Sequence, residues 1–258
     1  MNKAQILAVF AALLLFCGLY FGLDTKTKSQ QAGVRSQAMQ VESTGFDALL
    51  ADAKAQLTPT QAAEVADLEQ QIDIATDSAG KTAALKRLSG YWYRTRQLAV
   101  AGGIAEQVAE IENADSSWSV AGGTFFNGLV GSQDPKIRAY CAEHAVKAFE
   151  SAASLNPGEV AHRVNLALVY SENPPPDNPM QAVLMLRDLE SKYPNDATVY
   201  NALGRLAIKT GQWQRAIDRF EKSWTLDKTN PNTPCLLAKA YEGAGQMDKM
   251  ADYAKLCK

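Results

Sequence analysis

The residues ATVYNALGRLAIKTGQWQRAIDRFEKSWTLDKTN, from Ala197 to Asn230, decide the fold of this chain. On both sides of Gly211 the apolar residues recur every three or four positions, which is the spacing of an amphipathic helix. Glycine tolerates the left-handed conformation that ends many helices, so Gly211 predicts the end of the first helix. Trp213 then supplies a large apolar surface beside the turn. The stretch therefore predicts two helices joined by a short turn.

The small residues of this stretch predict how the two helices meet. Gly204 and Ala216 would lie at the crossing point, where small side chains let the backbones approach, while Leu203 and Phe220 would face each other. The pattern resembles the tetratricopeptide repeat, a helix-turn-helix unit of about 34 residues. The positions that carry the resemblance are Tyr200, Leu203, Gly204, Ala207, Gly211, Trp213, Ala216, Phe220 and Ser223.

The resemblance implies an all-α fold, a right-handed α-α superhelix whose stacked repeats hold another protein in a concave groove. One helical pair cannot bury its apolar faces alone, so further copies are expected beside it. Approximate copies occupy residues 231–258, 160–196, 115–159 and 82–114, with agreement that weakens toward the N-terminus. The sequence thus predicts an array of about five repeats.

Three of these copies depart from the repeat pattern. The copy at 160–196 carries three extra residues within SENPPPDNP, where successive prolines exclude a helix and predict a loop. The copy at 115–159 is longer by about eleven residues, and we expect an insertion between its helices. In the copy at 82–114, Gly102 and Gly103 depart from the residue pattern of the second helix.

Two helices that cap the array are predicted within residues 45–81, after a polar linker at residues 24–44. The second capping helix begins at a known start signal. Thr58 is its predicted N-cap, Pro59 lies in the first turn, and Gln61 completes a capping box. We expect both helices to pack on the first repeat.

The N-terminal segment Ala4–Leu23 is uncharged and apolar, and a helix of about 20 such residues spans the hydrocarbon core of a membrane. Residues 1–23 therefore predict a signal-anchor transmembrane helix. A cleaved signal peptide is the alternative, although no well-placed pair of small residues marks a cleavage site. The expectation is a single-pass membrane protein of bacteria whose repeat domain is periplasmic or otherwise extracytoplasmic.

The charge and the histidine content exclude several functions. The chain has 26 Lys and Arg against 28 Asp and Glu, so nucleic acid is not an expected partner. His144 and His162 have no cysteine or carboxylate neighbour at the spacing of metal ligands. No serine or cysteine motif marks a nucleophile. We therefore expect no catalytic residue, no metal and no cofactor.

One motif keeps a catalytic alternative open. Residues 75–82, ATDSAGKT, fit the looser form of a phosphate-binding loop, so a nucleotide-dependent enzyme would use Gly80, Lys81 and Thr82. That mechanism needs a buried strand before the loop, whereas the preceding residues have helical periodicity. A turn between two helices explains the same residues.

Two cysteines near the C-terminus have matching places in the last copy. In the repeat register, Cys235 lies early in the first helix and Cys257 late in the second, and antiparallel packing brings those ends together. A disulfide between them would staple this copy, with a contribution of about 3 kcal/mol in the chain-entropy model. The alternative is that each cysteine serves as a small apolar residue at a close-packed site.

In the family that the sequence resembles, the first helix of each repeat lines the groove. Carried over by register, the groove residues are Val164, Leu168, Glu172, Asn201, Arg205, Lys209, Lys239 and Glu242. Arg205, Lys209 and Lys239 would form a basic strip. Relatives that bind C-terminal peptides use Asn, Lys and Arg in this groove to hold a carboxylate by charge-assisted hydrogen bonds. A solvated helix face is the alternative.

These features predict a non-enzymatic scaffold or assembly factor, anchored in a bacterial membrane, that binds a segment of another protein in the groove of its repeats. A self-associating structural protein of the envelope is an alternative, so a homo-oligomer stays open. The nucleotide-dependent enzyme is a second alternative. The sequence does not identify the partner protein.

Overall fold

The structure is a computed structural model that describes residues 45–257. This range contains twelve α-helices and no β-strand. In chain order the helices are α1 (Phe46–Ala55), α2 (Pro59–Asp73), α3 (Ser78–Arg94), α4 (Leu98–Glu112), α5 (Asp115–Gly131), α6 (Pro135–Leu155), α7 (Val160–Glu172), α8 (Gln181–Lys192), α9 (Ala197–Lys209), α10 (Trp213–Leu226), α11 (Asn232–Gly243) and α12 (Met247–Ala254).

The helices from α3 onward form five consecutive pairs, α3 with α4 through α11 with α12. Each helix from α2 onward contacts the next helix in the chain, and the first helices α5, α7, α9 and α11 also contact one another in that order. Contacts confined to neighbours are typical of a solenoid. The array therefore has the tetratricopeptide architecture that the sequence predicts.

An aromatic ring lies against a glycine where the two helices of a repeat cross. Phe220 of α10 lies on Gly204 of α9, and a Cβ atom at Gly204 would come within 2.5 Å of the ring. Phe149 of α6 lies on Gly122 of α5 in the same way, at 2.9 Å from a Cβ there. Both rings are buried. Because only glycine leaves this space, these contacts set how closely the helices approach.

Although Gly102 and Gly103 depart from the repeat pattern, α4 continues through both residues. Each glycine receives an aromatic ring from another helix. A Cβ at Gly102 would lie 2.5 Å from the ring of Phe125 in α5, and one at Gly103 would overlap Phe46 in α1. The two glycines therefore join α4 to helices on either side of it.

The insertion that we expected between the helices of the copy at 115–159 does not form a loop. The additional residues lengthen both helices, so α5 has 17 residues and α6 has 21. Asp134 caps α6 by accepting a hydrogen bond from the Lys136 backbone N–H at 2.8 Å, and Pro135 occupies the first helical position. The proline-rich segment after α7 is a loop, closed by a hydrogen bond from Asn178 N to Pro175 O at 3.1 Å.

The helices before the repeats pack on the first pair, where α2 contacts α3 and α1 contacts α4. The capping box is confirmed, since the Thr58 backbone N–H donates to Gln61 Oε1 at 3.0 Å and the Gln61 N–H donates to Thr58 Oγ1 at 3.3 Å. Burial of Val65 fixes α2 against the array.

Three of the turns within repeats share a backbone conformation that glycine favours. Gly211 and Gly245 have φ angles of 69° and 73°, and Arg96 has 66° in the equivalent turn between α3 and α4. A side chain in this left-handed region costs about 1 kcal/mol. The packing of α3 on α4 thus imposes the turn where the sequence lacks glycine.

The predicted membrane localisation is corrected by the structure. None of the helices within residues 45–257 is both long enough and apolar enough to cross a membrane. The segment Ala4–Leu23, on which that prediction was based, lies outside the described residues, as does the polar linker at 24–44.

Replacing Gly204 by alanine is expected to lower the free energy of unfolding by about 2 kcal/mol, because the new methyl group overlaps the ring of Phe220. Gly123→Ala is the control, since a Cβ there meets no atom within 4 Å. Alanine favours a helix, so the control should raise the free energy of unfolding by about 0.5–1 kcal/mol. Urea denaturation measures both values, and a change of the same sign in the two variants would contradict the packing role.

Candidate functional site

The residues predicted to line the groove lie on α7, α9 and α11. We call the surface formed by these helices and the other two first helices, α3 and α5, the first-helix face. Two of the predicted residues are in the core instead. Val164 is 4% exposed and packs with Leu189, while Asn201 is 8% exposed. Neither side chain is available to a partner, which corrects the prediction for these two positions.

Asn201 holds three helices together. Its Nδ2 atom donates hydrogen bonds to Ser223 Oγ of α10 at 3.1 Å and to Thr233 Oγ1 of α11 at 2.7 Å. Ser223 Oγ in turn donates to the Ala197 carbonyl oxygen at 2.9 Å. Buried polar groups need such partners, so the network ties one repeat to the next.

The same two repeat positions are filled differently in successive copies. They hold the apolar pair Val164 and Leu189 in one repeat and the hydrogen-bonded pair Asn201 and Ser223 in the next. In the copy at 231–258 they hold Cys235 and Cys257, which form a disulfide with Cα atoms 4.8 Å apart. The cysteine pair and the Asn201–Ser223 pair both span 22 residues. The bond therefore occupies the place of the contact that the two preceding repeats make.

Lys209, a member of the predicted basic strip, is already engaged. Its Nζ atom lies 2.9 Å from Glu172 Oε2 and also donates to the Ser171 carbonyl oxygen at the end of α7. Lys209 therefore links α7 to α9, and most of its charge is neutralised within the array.

Arg205 and Lys239 remain exposed on the first-helix face, with Glu242 and the half-buried Leu168 beside them in the register. Among residues 45–257 neither cation has an ion-pair partner. The Arg205 side chain reaches solvent, yet neighbouring atoms displace water from the guanidinium, and this partial burial lowers its pKa. A desolvated cation without a counter-charge favours an anionic partner.

A cavity that sequence reasoning missed lies between α3 and α5, with α4 as its floor. Its volume is about 670 Å³. The residues that line it are Lys86, Ser89, Gly90, Tyr93, Arg94, Ala105, Val108, Glu112, Ser116, Ser117, Val120 and Thr124. The register of the copy at 82–114 places Lys86, Gly90, Tyr93 and Arg94 at groove positions, so the same carry-over could have found them.

Polar contacts at the cavity rim leave one cation without a partner. Lys86 Nζ lies 2.6 Å from Glu112 Oε1, and Ser117 also donates to Glu112. The Tyr93 hydroxyl accepts a hydrogen bond from Asn127 Nδ2 at 3.2 Å. Arg94 makes no hydrogen bond or ion pair with any residue that the structure describes. The rim therefore carries an excess positive charge.

Both histidines contact carboxylates that are distant in the sequence. His144 Nδ1 and Lys147 Nζ each lie 2.6 Å from the carboxylate of Glu106, which is 6% exposed between α4 and α6. His162 Nε2 lies 3.1 Å from Asp115 Oδ2. Burial acts to raise the pKa of Glu106, but hydrogen bonds from His144 and Lys147 outweigh it, and the pKa lies below its usual value of 4.5. The cluster joins two repeats.

The residues of the nucleotide alternative occupy the first turn of α3. The Gly80 N–H donates to Asp77 Oδ1 at 2.6 Å, and the buried Thr82 donates to the Ala79 carbonyl oxygen at 3.1 Å. A helix, α2, precedes them where a phosphate-binding loop requires a strand. Within residues 45–257 no three His, Cys, Asp or Glu side chains are grouped as metal ligands.

No family model matches the sequence, and no curated protein matches it. Among solved structures, a crystal structure of MamA is 17% identical with a TM-score of 0.40, over 68% of this chain and 89% of that one. MamA from Desulfovibrio magneticus RS-1 is 18% identical with a TM-score of 0.41, over 68% and 92%. The Cut9–Hcn1 hetero-tetramer of APC/C is 18% identical with a TM-score of 0.48, but only 34% of that chain is covered, against 72% of this one. Likeness at this level carries no functional inference.

We propose that Cys235 and Cys257 are bonded in the isolated protein. Titration of thiols in denaturant should then find two of the four cysteines free, and four after reduction. Reduction should lower the free energy of unfolding by about 3 kcal/mol in the chain-entropy model. Four free thiols in protein that has never been reduced would contradict the bond.

Glu106→Gln is expected to lower the free energy of unfolding by about 2 kcal/mol at neutral pH, because the charged hydrogen bonds from His144 and Lys147 are lost. The folded pKa of Glu106 lies below the unfolded one, so its contribution is present above about pH 4.5 and is lost as the pH falls through the folded pKa. Urea denaturation across this range should show the difference from wild type shrinking in acid. Glu143→Gln, at an exposed position of α6, is the control. A difference that stays constant with pH would contradict this role.

Proposed function

We propose that the chain is a non-enzymatic scaffold that binds a segment of another protein along the first-helix face. The observation that carries this proposal is the combination, on that one surface, of a cavity and three cations that have no ion-pair partner within residues 45–257, namely Arg94, Arg205 and Lys239. Neither feature takes part in the glycine contacts or in the buried Asn201 network that join the helices.

The dimensions of the face favour an extended segment as its ligand. Helices pack at about 10 Å, so five first helices present a surface of about 40 Å from the axis of the first to that of the last. An extended chain covers about 3.3 Å per residue, and about 12 residues would span this surface. A scaffold that holds such a segment gains specificity from several separated contacts rather than from one site.

The charges of the face favour an acidic segment. Arg205 and Lys239 are the predicted groove residues that stay exposed without a described ion-pair partner, and Arg94 lies at the other end of the array. Glu242 and Leu168 complete the exposed part of the predicted groove, while Val164 and Asn201 are withdrawn from it because they are buried. Carboxylates form strong charge-assisted hydrogen bonds with such cations.

The double variant Arg205→Glu with Lys239→Glu should abolish capture of the partner without lowering the melting temperature, because both residues are exposed and make no described ion pair. The measurement is photo-crosslinking in cells of the full chain, with a benzophenone amino acid at Tyr93, followed by mass spectrometry. The double variant Arg187→Glu with Lys228→Glu is the control, since it makes the same change of charge at exposed positions outside the first-helix face.

A second crosslinking position shows whether capture is confined to one surface. The benzophenone at Leu184, which is exposed on α8, should give none of the adducts that form at Tyr93. Identical adducts from both positions, or unchanged adducts in the Arg205 and Lys239 variant, would refute binding on the first-helix face.

A further inference from the structure

Two glycines on the first-helix face have no role in packing. A Cβ atom at Gly123 in α5 would meet nothing within 4 Å, and one at Gly90 in α3 would meet only Arg94 Nη1, at an ordinary 3.6 Å. By contrast, a Cβ at Gly102, Gly122 or Gly204 would overlap an aromatic ring. Neither Gly90 nor Gly123 has a positive φ angle.

A helix is less stable with glycine than with alanine at an interior position, because the chain loses more conformational entropy at glycine when it folds. At most glycines of this array, this loss of helix stability is offset by a close contact or by a turn that requires glycine. Gly90 and Gly123 have neither compensation among the described residues. A glycine that weakens its helix without helping the fold points to a function for the space that it leaves.

Gly90 lines the cavity between α3 and α5, whereas Gly123 of α5 is not among the residues that line it. Both residues are ninth in their copies, where the later copies have the side chains Leu168, Arg205 and Lys239. In the copy at 82–114, where the ninth residue is Gly90, the cavity has a volume of about 670 Å³, which is typical of a ligand pocket.

The walls of the cavity are mainly apolar. Ala105 and Val108 of α4 form its floor, and Val120 of α5 is 63% exposed toward it. The hydroxyl groups of Thr124 and Ser89 donate to backbone carbonyl oxygens, at 2.8 Å to Val120 and 2.9 Å to Ala101. Contact between the exposed Val120 and another apolar group is favourable, because it removes apolar surface from water.

One charge borders this apolar space. Glu112 is neutralised by Lys86 at 2.6 Å, so Arg94 supplies the net charge of the rim. Its Nη1 atom would lie 3.6 Å from a Cβ atom at Gly90, and both residues line the cavity. A ligand that fits this site therefore has a bulky apolar group with a carboxylate beside it.

We propose that this cavity binds a bulky apolar side chain, such as Leu or Phe, of the partner segment, with a neighbouring Asp or Glu on Arg94. The inference rests on the proposed function, since it assumes that a protein segment lies on the first-helix face. It adds the local sequence that the partner must carry and the place where it docks.

The test uses the full chain and fluorescein-labelled peptides of 12 residues in a Gly-Ser background, with a central pair of Leu-Asp, Ala-Asp, Leu-Asn or Leu-Lys. Fluorescence anisotropy should show that Leu-Asp binds at least about tenfold more tightly than the other three. Equal binding of Leu-Asp and Ala-Asp, or no binding of either peptide, would overturn the proposal.

Filling the cavity from within α3 separates binding from folding. Gly90→Leu should weaken Leu-Asp binding at least about tenfold, whereas Gly90→Ala should weaken it less and raise the melting temperature by about 2 °C. Arg94→Glu should reverse the order of Leu-Asp and Leu-Lys, and Arg87→Glu, on α3 but outside the cavity, should leave it unchanged. A lower melting temperature for Gly90→Ala would show that the glycine is structural and would overturn the proposal.

Failure of this inference is distinguishable from failure of the proposed function. If the peptides show no preference while crosslinking at Tyr93 still captures a partner that the Arg205 and Lys239 variant loses, the face binds protein and the cavity does not select it. If no partner is captured at Tyr93, the proposed function itself fails.

Discussion

The close contact between an aromatic ring and a glycine backbone is the interaction on which this array depends. Phe220 on Gly204 and Phe149 on Gly122 repeat one contact in two helix pairs, and Phe125 on Gly102 extends it to the contact between neighbouring pairs. Each ring occupies the space that a Cβ atom would need, so the helices approach closely and the rings are buried. Where this contact occurs, it sets the distance between the two helices.

One pair of positions in successive repeats is occupied by different residue types, while the two positions remain in contact. One pair of positions holds two apolar residues, then a hydrogen-bonded Asn201 and Ser223, then two cysteines. An apolar contact and a satisfied polar network stabilise the buried pairs, and a covalent bond stabilises the pair in the last copy, where Cys257 is exposed. The repeat therefore constrains the distance between these positions more strongly than it constrains the residue types.

The same register that builds the core also sets which residues lie on the first-helix face. The positions at the closest helix crossings hold glycine against an aromatic ring, whereas the ninth residue of each copy differs between repeats. It is glycine where α3 and α5 form the cavity and a cation in α9 and α11. Variation at this one position is thus enough to give different parts of the array different surface chemistry.

The sequence by itself determined the helix pairs, their order and the start of α2, because helical periodicity and capping depend on residues within a few positions of each other. It also placed Arg205 and Lys239 on an exposed face through the register. Only the tertiary structure decided that Asn201 is buried and that His144 meets Glu106. The same holds for the unbroken course of α4 through Gly102. These contacts form between residues that are 22 to 38 positions apart in the sequence. No local sequence pattern specifies which ring or carboxylate will contact a given site.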